Sequence, residues 1–126
     1  MNLPRQHVLL VDDDRDTRET LAEILIGGGY AVTLAANGLE ALDLLPEIER
    51  PCLILLDMKM PVVDGYEFMG RLPLRFRDIP IVVMSASGNL PRGVTVLPKP
   101  FSIEELHAHV DLHCKGGAAL ASAGHA

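Results

Sequence analysis

The sequence predicts an α/β fold in which a parallel sheet is covered by helices on both faces. Three observations carry this. Short apolar runs alternate with longer stretches whose apolar residues recur at helical spacing. Residues 52–56 and 79–84 are continuously apolar, the pattern of strands buried on both sides. Gly, Asn-Gly and Pro residues punctuate the boundaries between these segments.

Taken in order, HVLLV at 7–11 reads as the first strand. Residues 15–26 carry Leu21, Ile24 and Leu25 at helical spacing, and Gly27, Gly28 and Gly29 stop that helix. Residues 30–35, with Val32 and Leu34, alternate as a strand does. Asn37-Gly38 turns the chain into a helix with Leu39, Leu42 and Leu45 on one face, which Pro46 should perturb or end. Residues 52–56 form the third strand. Asp64 is placed to cap a short helix over 64–72. Residues 79–84 and 94–97 are the remaining strands. Ser102 and Glu105 stand three apart, as in a capping box, at the start of a last helix over 102–114 whose inner stripe is Ile103, Leu106 and Val110. Residues 1–115 are expected to form one domain, and 116–126, all small residues and glycine but for one leucine and one histidine, a flexible tail or truncated linker.

Composition narrows the function classes. A chain of 126 residues that is 48% hydrophobic has enough apolar material for one core, and with 4% aromatics and no Trp that core must be aliphatic. Net charge is −6 and no Lys/Arg block is present, which speaks against direct nucleic-acid binding and against an anionic membrane surface. No apolar run approaches the roughly 20 residues of a membrane span, and residues 1–7 lack the apolar core of a signal peptide. A cytoplasmic location is the expectation. Cys52 and Cys114 are accordingly expected to be two free thiols in a reducing compartment.

In a doubly wound parallel sheet, ligands bind beyond the carboxyl ends of the strands. The residues just past each strand therefore carry the chemistry. Asp12 and Asp13 come after the first strand, Asp57 after the third, Ser85 after the fourth and Lys99 after the fifth. Three carboxylates, a hydroxyl and a lysine are thus delivered to one edge of one sheet. The acidic cluster in VDDDRDTRETLAE has two other readings. Asp12, Asp14, Asp16 and Glu23 match positions 1, 3, 5 and 12 of an EF-hand loop, but Thr17 occupies the place of the required glycine, and a strand precedes the loop instead of a helix. A haloacid-dehalogenase-like phosphatase needs Asp-x-Asp followed by x-Thr or x-Val, which no register supplies. A magnesium pocket uses all five groups. Mg²⁺ takes octahedral oxygen ligands and retains water. Asp13 and Asp57 are placed to bind it directly, Asp12 through water, and the Lys59 backbone carbonyl to complete the set. Asp57 then has an oxygen free to attack a phosphoryl group, with Lys99 and Ser85 contacting the phosphoryl oxygens.

HVLLVDDDRDTRETL, LILLDMKMPVVDGYEFM, IVVMSAS and LPKPF together resemble the receiver domain of two-component response regulators, over about residues 6–114. The resemblance implies a flavodoxin-like five-stranded sheet of order 2-1-3-4-5. It implies that Asp57 is the phosphoacceptor, that Asp12 and Asp13 are the acidic pair, and that Mg²⁺ (or Mn²⁺) is the cofactor. It implies Ser85 as the hydroxyl switch residue, Lys99 as the family's lysine, and a cis bond before Pro100. The implied partners are a sensor histidine kinase or histidine phosphotransfer domain and an unknown downstream protein. The role implied is signalling, with self-phosphorylation and self-dephosphorylation rather than metabolic catalysis.

Two departures from the family pattern stand out. Residues 86–93 hold Gly88, Pro91 and Gly93, which leaves no room for the usual fourth helix, so that helix is expected to be shortened or absent. Val96 occupies the switch position where receivers usually carry an aromatic residue. An alternative is therefore a receiver-like docking module with altered or no phosphorylation-dependent switching; a small aspartyl-phosphatase is the enzymatic alternative. Among the remaining residues, Asp14 and Asp16 belong to the first turn of a helix, where acids are favoured. His109 and His113, four apart, are expected on a solvated helix face, and Met58 and Met60 are expected to pack beside the pocket.

Overall fold

The computed structural model describes residues 6–58, 64–86 and 94–114. Five strands, β1 (His7–Val11), β2 (Ala31–Ala35), β3 (Leu53–Asp57), β4 (Ile81–Ser85) and β5 (Thr95–Pro98), form one sheet of order β2-β1-β3-β4-β5. Every neighbouring pair is parallel. Four helices, α1 (Arg15–Gly27), α2 (Gly38–Leu44), α3 (Gly65–Arg71) and α4 (Ile103–Cys114), are found among the described residues, the first three in the crossovers and α4 after β5. The winding reverses between β1 and β3, where a ligand crevice is expected in this topology.

Local signals set the element boundaries. Asp14, Asn37 and Asp64 each cap a helix, accepting from the backbone N–H three residues on. The Ser102–Glu105 capping box is reciprocal: Ser102 N–H donates to Glu105 Oε1 and Glu105 N–H to Ser102 Oγ, both at 3.0 Å. α2 ends at Leu44, and Pro46 sits in a following 3₁₀ turn, Leu45–Glu47. β3 and β4 each run one residue further than their apolar stretches, so Asp57 and Ser85 are the last residues of their strands.

The pleat sends alternate residues into two cores. Val8, Leu10, Leu53, Leu55, Val82, Met84 and Leu97 face α1 and α4. Leu9, Val11, Ile54 and Leu56 face α2 and α3, where Phe68 and Leu72 complete the layer. The helical stripes differ from expectation at two positions. Leu39 is 43% exposed, and the smaller Ala41 faces the sheet in its place; Ile103 is 54% exposed, because α4 is seated by Leu106, Val110 and Cys114. His109 and His113 are not on a fully solvated face. Both are half-buried, with His109 Nδ1 and His113 Nε2 shielded from solvent and without a hydrogen-bond partner among the described residues.

The expectation of two free thiols is overturned. Cys52 and Cys114 form a disulfide, with Cα atoms 5.1 Å apart across 62 residues of sequence. α4 crosses the sheet so that its last turn lies over the start of β3, a juxtaposition that neither cysteine's local sequence encodes. Between β4 and β5 lie residues 86–94, of which 87–93 are outside the described residues, as is the expected loop there apart from Ala86. Residues 116–126 also lie outside them.

Burial separates two leucines of the same helix. Leu106 is fully buried and Leu112 is 72% exposed. Leu106→Ala is expected to lower the unfolding free energy by about 2–5 kcal/mol, and Leu112→Ala to change it by no more than about 0.5 kcal/mol, measured by urea titration.

Candidate functional site

The parallel ladder between β1 and β3 pairs Val11 with Leu56. The next residues, Asp12 and Asp57, are therefore neighbours across the same sheet edge. Asp57 is buried at the end of β3, and Asp12, 1% exposed, at the end of β1. Asp13 is exposed beside them. One carboxylate oxygen from each of Asp12, Asp13 and Asp57 lies within 4.8 Å of the other two. From the far side of the sheet, Lys99 Nζ reaches Asp57 Oδ1 at 3.4 Å. Lys99 is held there because its backbone N–H donates to the Ser85 carbonyl at 2.8 Å, which also ties the ends of β4 and β5 together. The Lys99–Pro100 bond is cis, as the resemblance implied. Ser85 is buried at the same edge, 5% exposed. All five strand-end groups singled out in the sequence thus converge; Lys59, the source of the expected carbonyl ligand, lies outside the described residues.

Burial pushes the Asp12 carboxyl above its ordinary value, and the charges of Asp57 and Asp13 add to that shift, while a hydrogen bond from the Asp14 N–H and the charge of Lys99 oppose it. Asp12 Oδ1 accepts that N–H at 2.9 Å, but Asp12 Oδ2 is buried with no hydrogen-bond partner among the described residues. A buried anionic oxygen without a partner is costly, and three converging carboxylates are hard donors of the kind that Mg²⁺ takes. The residues present fit a divalent cation. Asp14 behaves differently: bonds from the Thr17 hydroxyl and N–H hold its carboxyl below the usual range. Asp14 and Asp16 serve the first turn of α1, and the strand–helix path around them is not a calcium loop.

Two residues that shape the site were missed in the sequence. Arg18 Nη1 donates to the Asp12 backbone carbonyl at 2.8 Å, folding the β1–α1 turn back against the helix. The only signal for it was a second arginine, one turn into the helix after Arg15. Gly65 opens α3 directly against β3: a Cβ there would stand 2.5 Å from Met58 Sδ and 3.2 Å from Met58 Cα. Glycine lets α3 start this close to the strand end that carries Asp57. Met58 is buried, as expected, and Met60 lies outside the described residues. Val96 is half-buried, in register with Val83. A shallow cleft of about 430 Å³, lined by Thr17, Leu21, Ala86, Lys99, Pro100 and Phe101, lies beside the site and shares Lys99 with it.

The direction of the Asp12 shift sets a stability signature. A carboxyl whose folded pKa is raised favours folding in its neutral form; that contribution is complete below the unfolded value and is lost as pH rises through the folded value. In protein stripped of metal with EDTA, Asp12→Asn should melt at a higher temperature than the parent at pH 7. The gap should close as pH falls toward the ordinary value of 3.8. A lower melting temperature for the variant at pH 7 would contradict the assigned cost.

Comparison with known proteins agrees with this geometry. The family model described as the response regulator receiver domain matches residues 8–111. Response regulator MprA of Mycobacterium sp. (strain KMS) is 41% identical over 111 residues, 82% of this chain and 48% of that protein, so the chain spans about half the length of the curated relatives it matches. Chemotaxis protein CheY4 of Vibrio cholerae superposes with a TM-score of 0.79 at 30% identity, covering 87% of this chain and 99% of that one. The receiver domain of sensor histidine kinase PA1611 from Pseudomonas aeruginosa PAO1, with a magnesium ion coordinated in its active site cleft, superposes with a TM-score of 0.78 at 29% identity, covering 90% and 100%. The five-stranded parallel sheet, the acidic edge and these matches together place the chain in the receiver domain family of two-component response regulators.

Proposed function

We propose that Asp57 accepts a phosphoryl group from a phosphohistidine of a sensor histidine kinase or histidine phosphotransfer domain. The convergence of Asp12, Asp13 and Asp57 within 4.8 Å, with Lys99 against Asp57, carries this reading. Asp13 and Asp57 would hold Mg²⁺ (or Mn²⁺) directly, Asp12 through water, with the Lys59 carbonyl as a further ligand. When bound, the ion neutralises charge on the transferring group. One Asp57 oxygen attacks phosphorus in line; the phosphorus–nitrogen bond breaks, and the imidazole departs with its electron pair, leaving an acyl phosphate. The Lys99 ammonium then pairs with one phosphoryl oxygen, and the Ser85 hydroxyl donates to another. Water later hydrolyses the acyl phosphate, so the chain catalyses its own resetting while its role is signalling. None of the described helices is long and apolar enough to cross a membrane. The net charge of −6 disfavours contact with nucleic acid. A cytoplasmic location and a downstream protein partner complete the proposal.

Acetyl phosphate with Mg²⁺ should add one phosphoryl mass to the chain, and Asp57→Asn should abolish that gain. Lys99→Ala should slow the labelling by roughly 100- to 1,000-fold, the range for removing one donor that stabilises a developing oxyanion. Labelling that survives Asp57→Asn would sink the assignment, and no labelling at all would favour a docking module without phosphorylation.

Residues 86–93 occupy the place of a full helix in the receiver pattern, and Val96 replaces the usual aromatic residue. We infer that this short segment orders or shifts when the phosphoryl group draws Ser85 inward. Amide exchange in 86–93 should slow when beryllofluoride and Mg²⁺ are added; unchanged exchange there rules out this readout.

A further inference from the structure

The disulfide joins two elements whose other ends lie toward the acidic edge. Cys52 immediately precedes β3, which ends in Asp57, and Cys114 ends α4, which begins shortly after Lys99. Cys52 and Asp57 are roughly 17 Å apart by strand rise. The chain therefore carries a covalent fastening at one end of its central strand and the candidate phosphoacceptor at the other.

We propose that Cys52 and Cys114 form a thiol–disulfide switch that fastens and releases the last turn of α4. This rests on the cytoplasmic reading above, because intramolecular disulfides in that reducing setting are usually transient and serve catalysis or redox sensing. Three features suit the pair to that role. Cys52 is only partly buried whereas Cys114 is 5% exposed, so a small thiolate reaches the Cys52 sulfur first and expels Cys114. Both cysteines belong to the aliphatic core between the sheet and α1/α4, where a reduced thiol packs as a small apolar group. α4 also has attachments that need no disulfide. Leu106 and Val110 are fully buried, the Tyr30 hydroxyl donates to Asp111, and His107 Nε2 lies 3.3 Å from the Ile24 carbonyl. Reduction thus leaves the domain folded and loosens the end of α4, from which the chain continues past Cys114.

The chemistry balances as thiol–disulfide exchange. Oxidised glutathione takes two electrons from the Cys52 and Cys114 thiols, which lose two protons; one S–S bond forms and glutathione leaves as two thiols. A dithiol reductant reverses this through a mixed disulfide on Cys52, whose second thiol then releases it.

The test uses the whole chain. After incubation with oxidised glutathione, alkylation without reductant should modify neither cysteine, and native treatment with dithiothreitol should expose both. Hydrogen exchange should then quicken by at least about tenfold over residues 111–114 on reduction, a modest effect for opening a cross-link over a long loop. Exchange in β1 and β3 should stay unchanged. Cys52→Ser should show the fast exchange with or without oxidant. Any of three results overturns the switch: both cysteines alkylating in the glutathione-treated native chain, a bond that opens only after denaturation, or identical exchange in both redox states. Since no arm measures phosphoryl transfer, failure here is separable from failure of the Asp57 assignment.

Discussion

The pairing of β1 with β3 puts two carboxylates side by side at the end of a parallel ladder. Asp12 and Asp57 come directly after the Val11–Leu56 pair, and both are buried. Alone, that arrangement is unfavourable, because two like charges share a site that water scarcely reaches. The surrounding groups offset that cost. The Asp14 N–H turns back to Asp12, Lys99 leans across the sheet to Asp57, and Asp12 Oδ2 is left without a partner among the described residues. The pocket is organised around positive charge that the protein only partly provides.

Elements beyond the site hold that edge together. Lys99 reaches Asp57 because β5 is pinned to β4 through the Ser85 carbonyl. Arg18 braces the turn that presents Asp12 and Asp13. Gly65 allows α3 to begin against the end of β3 without displacing Met58. The second core, with Phe68 and Leu72 against Ile54 and Leu56, then seats α3 on the face that supports this edge.

α4 is seated by several independent contacts. Its N-terminus is capped by Ser102 and Glu105, its middle is packed by Leu106 and Val110, its side is bonded to α1 and Tyr30, and its C-terminus is joined to the chain before β3 by a disulfide. The two ends of the helix thus answer to different chemistry, one close to the acidic edge and one at the opposite end of the sheet.

Much of this was determined by the sequence alone, and the reason is physical. Strand and helix periodicity, the caps at Asp14, Asn37, Asp64 and Ser102, and the stop at Pro46 depend on residues within a few positions of one another. Parallel winding then carries every strand end to the same edge, which made Asp12, Asp13, Asp57, Ser85 and Lys99 legible as one group. Tertiary structure decided what depends on distant partners. Nothing near Cys52 or Cys114 specifies that 62 residues of chain bring them to bonding distance. Ile103 and Leu39 fall on apolar stripes yet face solvent, because the tilt of each helix on the sheet selects which apolar residues are covered. Asp12 and Asp13 are adjacent and chemically identical, yet one is buried and the other exposed, since Asp12 follows directly on the buried end of β1 and Asp13 lies one residue further out, in the bend toward α1.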